Sequence, residues 1–250
     1  SYGNDYPECG NVNRQTISEI WNGPVFIKLR EFMLSSEGKD GCKGCLLAKQ
    51  GLLYGNINIP TSVALLVEKN KILRESPSWK NIETIRQEVE NRRTVLNGKP
   101  SYISYTPSHA CNFRCIMCYQ AGQRELELEN MEAVDRQIVE LVPYLLQIIG
   151  GGGEPLLQPI WLKLIEEFKP YVNPLLSLGL TTNGSLVTQE RLESLAKFPG
   201  AILNFSFDAT DKALFEKIRA GSSYDIVYKN FMNAIELRNK VGVDKLYVSA

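Results

Sequence analysis

Apolar and polar positions alternate with two different periods from residue 101 onward. Residues 101–106 (SYISYT) are short, β-branched and aromatic, and read as a strand. Residues 129–146 carry apolar side chains at helical spacing, and residues 147–149 form a second short strand ahead of four glycines. Residues 157–168 read as an amphipathic helix, and residues 175–180 as a strand running into Thr182-Asn183-Gly184. Thr188 is an N-cap for a helix over 189–197. Residues 201–207 (AILNFSF) are a strand ending at Asp208, with Phe205 and Phe207 buried and Ser206 on the opposite side. Helices over 211–219 and 224–240 and a strand over 245–250 complete the series. The amino-terminal part differs: residues 1–47 are loop-rich with one helix over 17–32, residues 81–96 suit a charged helix, and residues 97–100 a turn.

Strands alternating with helices predict an α/β fold with a parallel sheet. Each polar or glycine-rich motif follows a strand, which is where ligand sites lie in such folds. The expected organisation is a small cysteine-containing module over 1–50, a linker or helical connection over 51–100, and a partial (β/α) TIM-like barrel over 101–250. The chain reaches only a fifth strand, so the carboxy-terminal part of the barrel is expected to be missing.

Composition narrows the partners. Hydrophobic content is 44%, charged content 22% and formal net charge zero, which gives no electrostatic reason to expect nucleic acid or an anionic membrane. The longest apolar run, residues 141–149, is broken by Pro143 and Gln147 and is too short to span a bilayer. The first twenty residues are polar and carry no signal-peptide core. The six cysteines are clustered, which favours metal ligation over disulfides and places the protein in a reducing compartment, the cytoplasm.

Cys111, Cys115 and Cys118 put three thiols within eight residues. A structural zinc ion wants a fourth ligand, and the single histidine, His109, is close by in sequence. A [4Fe–4S] cluster instead leaves one of its four irons open for a ligand. On spacing alone both stand. The CxxxCxxC spacing after a first strand, followed by aromatic Tyr119, resembles the signature of the radical S-adenosylmethionine superfamily. The resemblance implies a barrel of that family's type, a [4Fe–4S] cluster on the three cysteines, and S-adenosylmethionine chelated to the open iron. It places Tyr119 against the adenine. Gly152, Gly153, Glu154 and Pro155 match the family's Gly-Gly-Glu-Pro motif, which receives the methionyl amino group. The same glycine run could be read as a flexible or phosphate-binding turn, but it lacks the lysine and the third spaced glycine such turns use. Asn183, Ser206 and Asp208, at later strand ends, and Arg219 occupy positions that the family gives to contacts with the cofactor. As a plain sequence feature, Arg219 also suits a solvated helix C-terminus.

Cys9, Cys42 and Cys45, with Trp21 and Arg30 between them, resemble the SPASM or twitch auxiliary-cluster extension found after the barrel in many relatives. They imply a second iron–sulfur cluster, with Trp21 and Arg30 as packing residues; a zinc knuckle is the alternative on the cysteines alone. Here the module precedes a barrel and supplies three cysteines, so the expectation is an excerpt of a tandem protein whose fourth ligand lies upstream. The implied activity is reductive cleavage of S-adenosylmethionine to a 5′-deoxyadenosyl radical that abstracts hydrogen from a peptide, protein or small-molecule substrate, with flavodoxin or ferredoxin as electron donor. The rival is a non-catalytic iron–sulfur or zinc protein of electron transfer. No catalytic acid or base stands out.

Overall fold

The computed structural model describes residues 8–35, 70–123 and 129–250. The chain divides into two compact units, one of Ser1–Ser101 with Glu132–Tyr144, the other of Tyr102–Met131 with Leu145–Ala250.

In the first unit Thr16 caps helix α1 (Ile17–Trp21), accepting from Glu19 N while its own N donates to the Glu19 carboxylate at 2.7 Å. The one helix expected over 17–32 is two. Pro24 has no N–H and its ring would meet the carbonyl of Ile20, so the chain turns at Asn22 and Gly23. It restarts with Pro24 as the first residue of α2 (Pro24–Leu34). Helix α3 (Lys71–Arg74) leads to α4 (Pro77–Glu90), which lies earlier than the charge pattern predicts. Ser76 caps α4 ahead of Pro77, and Arg92, at φ 54, turns the chain after it. The turn expected over 97–100 is held by the buried Glu88 carboxylate, which accepts from Asn97 N at 2.7 Å and Gly98 N at 3.0 Å. Arg30 lies 4.3 Å over the Trp21 ring and donates to Trp21 O at 2.7 Å and Thr94 O at 2.9 Å. These two residues therefore do pack together, as the sequence suggested. In α5 (Met131–Leu141) Gln137 accepts from Ile17 N at 2.8 Å.

The second unit is built on parallel strands β1 (Tyr102–Tyr105), β3 (Gln147–Gly150), β4 (Ser177–Thr182), β5 (Gly200–Phe205) and β7 (Leu246–Ser249), which lie side by side in chain order. Two-residue strands β2 (Arg114–Cys115) and β6 (Arg219–Ala220) pair antiparallel with each other. Helices α6 (Pro159–Glu167), α7 (Gln189–Leu195), α8 (Lys212–Ile218) and α9 (Tyr224–Val241) separate the later strands, and Thr188 caps α7 as expected.

Alternation along the strands assigns two faces. Leu178, Leu180, Leu203, Phe205 and Leu246 are fully or almost fully buried. On this face Trp161 of α6 lies against Gly150, where a Cβ would come within 2.8 Å of the indole, and Phe205 meets Phe231 of α9 at 5.2 Å. Each such side chain contributes about 1.5–3 kcal/mol by burial. The other face carries exposed Tyr102, Ile202 and Tyr247. At its carboxyl end Thr181, Asn204 and Ser249 stand in one row across β4, β5 and β7. The five parallel strands contain no charged residue.

Candidate active site

The cysteines lie on the connection that leaves β1. Ser108 shapes its first part: its Oγ accepts from Ala110 N at 3.0 Å, and its carbonyl accepts from Gln158 Nε2 at 3.0 Å. Gln158 Oε1 accepts from the Trp161 indole at 3.0 Å, which ties the approach to Cys111 to helix α6. The far part is held by the short ladder, in which Cys115 pairs with Arg219 and Ile116 N donates to Ile218 O at 2.9 Å. All three thiols are half-buried and outside any disulfide. Burial pushes the Cys115 thiol up, Arg219 opposes the shift, and Cys111 and Cys118 add to it, so the three sulfurs share one neighbourhood.

Donors approach two of these sulfurs. Asn183 Nδ2 donates to Cys111 Sγ at 3.8 Å, Phe113 N to the same sulfur at 3.5 Å, and Arg219 Nη1 to Cys115 Sγ at 3.7 Å. Such N–H···S contacts suit anionic thiolate ligands. Three half-buried thiols, two of them with N–H donors, fit a cluster that takes one thiolate on each of three irons. His109 Nδ1 is buried without a hydrogen-bond partner.

The glycine loop packs directly on this segment. Gly152 and Gly153 have φ of 73° and 37°, and a Cβ on them would lie 2.0 Å from Thr106 Cγ2 and 2.1 Å from Ala110 O. Only glycine permits that approach. Gly151 N donates to Tyr105 O at 3.3 Å, Gly153 N to Gln120 Oε1 at 3.0 Å and Glu154 N to Ala110 O at 2.8 Å. With these donors spent internally the loop is rich in acceptors, the opposite of a phosphate cradle. It suits an ammonium.

Glu154 is completely buried. Its Oε1 accepts from Thr182 Oγ1 at 2.7 Å and Leu156 N at 3.1 Å, and its Oε2 from Asn183 N at 2.7 Å. Burial raises its pKa, and the donors of Asn183, Thr182 and Leu156 oppose that shift. The carboxylate thus joins the glycine loop to the turn after β4. Pro155 is buried at the start of a 3-10 turn, Pro155–Leu157. Asn183 is nearly buried and donates to Asn112 Oδ1 at 2.8 Å; Asn112 donates to Ser185 Oγ at 2.9 Å, and Ser185 donates back to Asn183 Oδ1 at 2.7 Å.

Ser206 N donates to Thr182 O at 2.9 Å, and its residue is half-buried. Phe205 is buried as expected, whereas Phe207, packed at tilted and edge-on angles with Phe215, Tyr224 and Phe231, is only half-buried because it lines a cavity. Asp208 Oδ2 lies 2.5 Å from Arg219 Nε, an ion pair without an aligned hydrogen bond. Arg219 is 8% exposed and so is not a solvated helix end. Tyr119 is 88% exposed. Cys9 is half-buried in the first unit, and Cys42 and Cys45 lie outside the described residues. Sequence reasoning missed Ser108, Asn112, Gln120 and Gln158; Asn112 lies inside the cysteine motif and Gln120 two residues after it, and that proximity was the available signal.

Residues 105–248 match the model of the radical SAM superfamily, and residues 2–46 match SPASM, an iron–sulfur cluster-binding domain. A probable GTP 3′,8-cyclase of Methanococcus maripaludis is 34% identical over 141 residues, 54% of this chain and 45% of that protein. Molybdenum cofactor biosynthesis protein 1 of Dictyostelium discoideum is 28% identical over 162 residues, 61% of this chain and 25% of that protein. The chain thus spans less than half the length of these relatives. Streptococcus suis SuiB bound to S-adenosylmethionine aligns with a TM-score of 0.48 and 18% identity, over 90% of this chain and 49% of that one. The cofactors that go with these matches are a [4Fe–4S] cluster, S-adenosylmethionine and an auxiliary iron–sulfur cluster. Because the first match covers more than half of the sequence, this chain belongs to the radical S-adenosylmethionine superfamily.

Proposed function

We propose that this radical S-adenosylmethionine enzyme uses Cys111, Cys115 and Cys118 for its catalytic cluster and acts on a peptide or protein substrate. One observation carries the first half: a group of thiols, two of them with N–H donors, packed against an acceptor-rich glycine loop. When bound, the cluster and S-adenosylmethionine supply reductive carbon–sulfur cleavage to methionine and a 5′-deoxyadenosyl radical that abstracts hydrogen. The chain's own residues bind and orient. Gly152 and Gly153 offer backbone acceptors to the methionyl ammonium, which a buried cation needs. Arg219, paired with Asp208 through Nε and with Cys115 Sγ through Nη1, would offer its remaining guanidinium N–H groups to the methionyl carboxylate. Tyr119 offers a ring to the adenine, and Asn183 and Ser206 close the side formed by β4 and β5. Glu154 supports the site from behind through Thr182 and Asn183.

The open face of the sheet supports the peptide reading. Its row of Thr181, Asn204 and Ser249 is uncharged and hydrogen-bonding, which suits a peptide segment better than a polyphosphate. The relatives named as GTP 3′,8-cyclases support a nucleotide substrate as the second reading. Under either reading, a flavodoxin or ferredoxin supplies the electron, the location is cytoplasmic, and Cys9, Cys42 and Cys45 ligate the auxiliary cluster in a module of residues 1–50 ahead of the linker and barrel.

The test is anaerobic reconstitution with iron and sulfide, reduction, and assay for 5′-deoxyadenosine. A fully loaded protein that forms none would overturn the proposal. Turnover stimulated by GTP, with a modified nucleotide as product, would replace the peptide reading with the nucleotide one.

A further inference from the structure

The side chain that follows the aromatic neighbour of the cluster motif does something its position in the sequence does not announce. Gln120 is 8% exposed, although Tyr119 before it and Ala121 after it are exposed. Its carboxamide reaches across 33 residues, accepting from Gly153 N at 3.0 Å with Oε1 and donating to the Tyr119 hydroxyl at 3.3 Å with Nε2. One amide plane therefore touches both the glycine-loop backbone and the tyrosine side chain that the proposed function assigns to the cofactor's amino and adenine ends.

The bond to Gly153 decides the polarity of the glycine loop. Gly153 has φ of 37°, and a Cβ on it would lie 2.1 Å from Ala110 O and 2.7 Å from His109 C, so backbone packs closely against this side of the loop and leaves it little room to shift toward another partner. Without Gln120 Oε1, the part-buried Gly153 N–H loses its acceptor. The peptide can then relax only by rotating, which exposes a donor where an ammonium must be received. The flanking donors, Gly151 N and Glu154 N, are held by main-chain carbonyls of Tyr105 and Ala110. Gly153 alone depends on a side chain.

We propose that Gln120 is a positioning residue that locks the glycine loop in its acceptor-presenting form and couples it to the cysteine loop. The inference rests on the reading of this loop as the seat of S-adenosylmethionine. Its test uses reconstituted protein and three forms: wild type, Gln120→Met, which keeps the volume without an acceptor, and Gln120→Glu, which keeps the acceptor.

Hydrogen exchange is measured on peptides spanning residues 150–154, without S-adenosylmethionine. In parallel, binding is titrated by the change that S-adenosylmethionine causes in the electron paramagnetic resonance spectrum of the reduced cluster. Gln120→Met is expected to load iron as the wild type does, to exchange the Gly153 amide at least about tenfold faster, and to bind S-adenosylmethionine about 5- to 50-fold more weakly. Gln120→Glu is expected to restore protection and to bind at wild-type strength or tighter. Unchanged exchange or unchanged binding in Gln120→Met overturns the proposal, as does a Gln120→Glu protein as weak as Gln120→Met. A wild type whose loaded cluster shows no spectral response to S-adenosylmethionine would instead sink the functional reading, while the exchange arm still reads the clamp.

Discussion

Removing the Glu154 carboxylate should damage the protein through its donors, not through lost substrate contact. In Glu154→Ala, Leu156 N and Asn183 N lose their acceptors at 3.1 and 2.7 Å, whereas the Thr182 hydroxyl can turn elsewhere. Two orphaned buried amides cost about 2–6 kcal/mol together. The lost methylene adds about 0.8 kcal/mol. Relief from burying an ionised carboxylate offsets part of this, because that burial is itself unfavourable. A net loss of about 3 kcal/mol results, and at about 2–4 °C per kcal/mol for a chain of this size the melting temperature falls by about 6–12 °C. Glu154→Gln should fall about half as far. Its Oε1 can still serve Thr182 and Leu156, but its amide nitrogen then faces Asn183 N–H. Circular dichroism melts of the three proteins, prepared without cluster so that iron loading does not intervene, provide the measurement. A Glu154→Ala protein melting within about 2 °C of wild type would show that the carboxylate does not hold the two loops together.

The same group sets a pH dependence. Burial raises its folded-state pKa above the unfolded value, so the folded site binds its proton more readily. The wild type's margin over Glu154→Gln is therefore fullest below the ordinary carboxylate pKa and falls as pH rises through the raised value; urea titrations across that range measure it. Arg30→Ala should destabilise the first unit by about 2–4 kcal/mol, since three hydrogen bonds and a cation–π contact go together, and Arg30→Lys should recover less than half by the same denaturation assay. Asn183→Leu removes an N–H···S donor from Cys111 and should make the cluster's midpoint potential more negative in a redox titration, because such donors favour the reduced state. Cys115→Ala should abolish loading of the catalytic cluster, whereas Cys42→Ala should leave it intact, as read by iron and sulfide content and 5′-deoxyadenosine formation.

The parallel βα order was legible because each strand is a short, uncharged, largely apolar run and the helices between carry their own signals. Thr188, for example, caps α7 where its position before Gln189 predicts. The first helix was misjudged because apolar spacing continues through Asn22-Gly23-Pro24, and proline chemistry outweighs periodicity there. Helix α4 was placed too late because the weight of charge lies beyond its cap at Ser76. At the site, the cysteines and glycines announce themselves because few other residue types can do what they do. Gln120, Gln158 and Ser108 do not, because an amide or hydroxyl near a motif looks the same whether it is solvated or bridging two loops. Only the fold brings Gln158 to Ser108, 50 residues away. The role of Glu154 was half-legible: its place in the motif was plain, but the burial of its carboxylate depends on β4 lying beside β3.

The two-residue ladder between Cys115 and Arg219 has a bearing on how the protein is made. The three thiols are neighbours as soon as Cys118 is synthesised, yet the middle one receives its backbone partner from a residue 104 positions later. Closing so long a loop is slow compared with local structure, and it cannot precede synthesis of β5 and α8. Iron delivered to a nascent chain would meet reactive thiols on an unanchored segment, whereas iron delivered after β6 has docked meets a shaped one. On the proposed assignment of these thiols, insertion of a cluster into a shaped site therefore waits for the β2–β6 ladder to close.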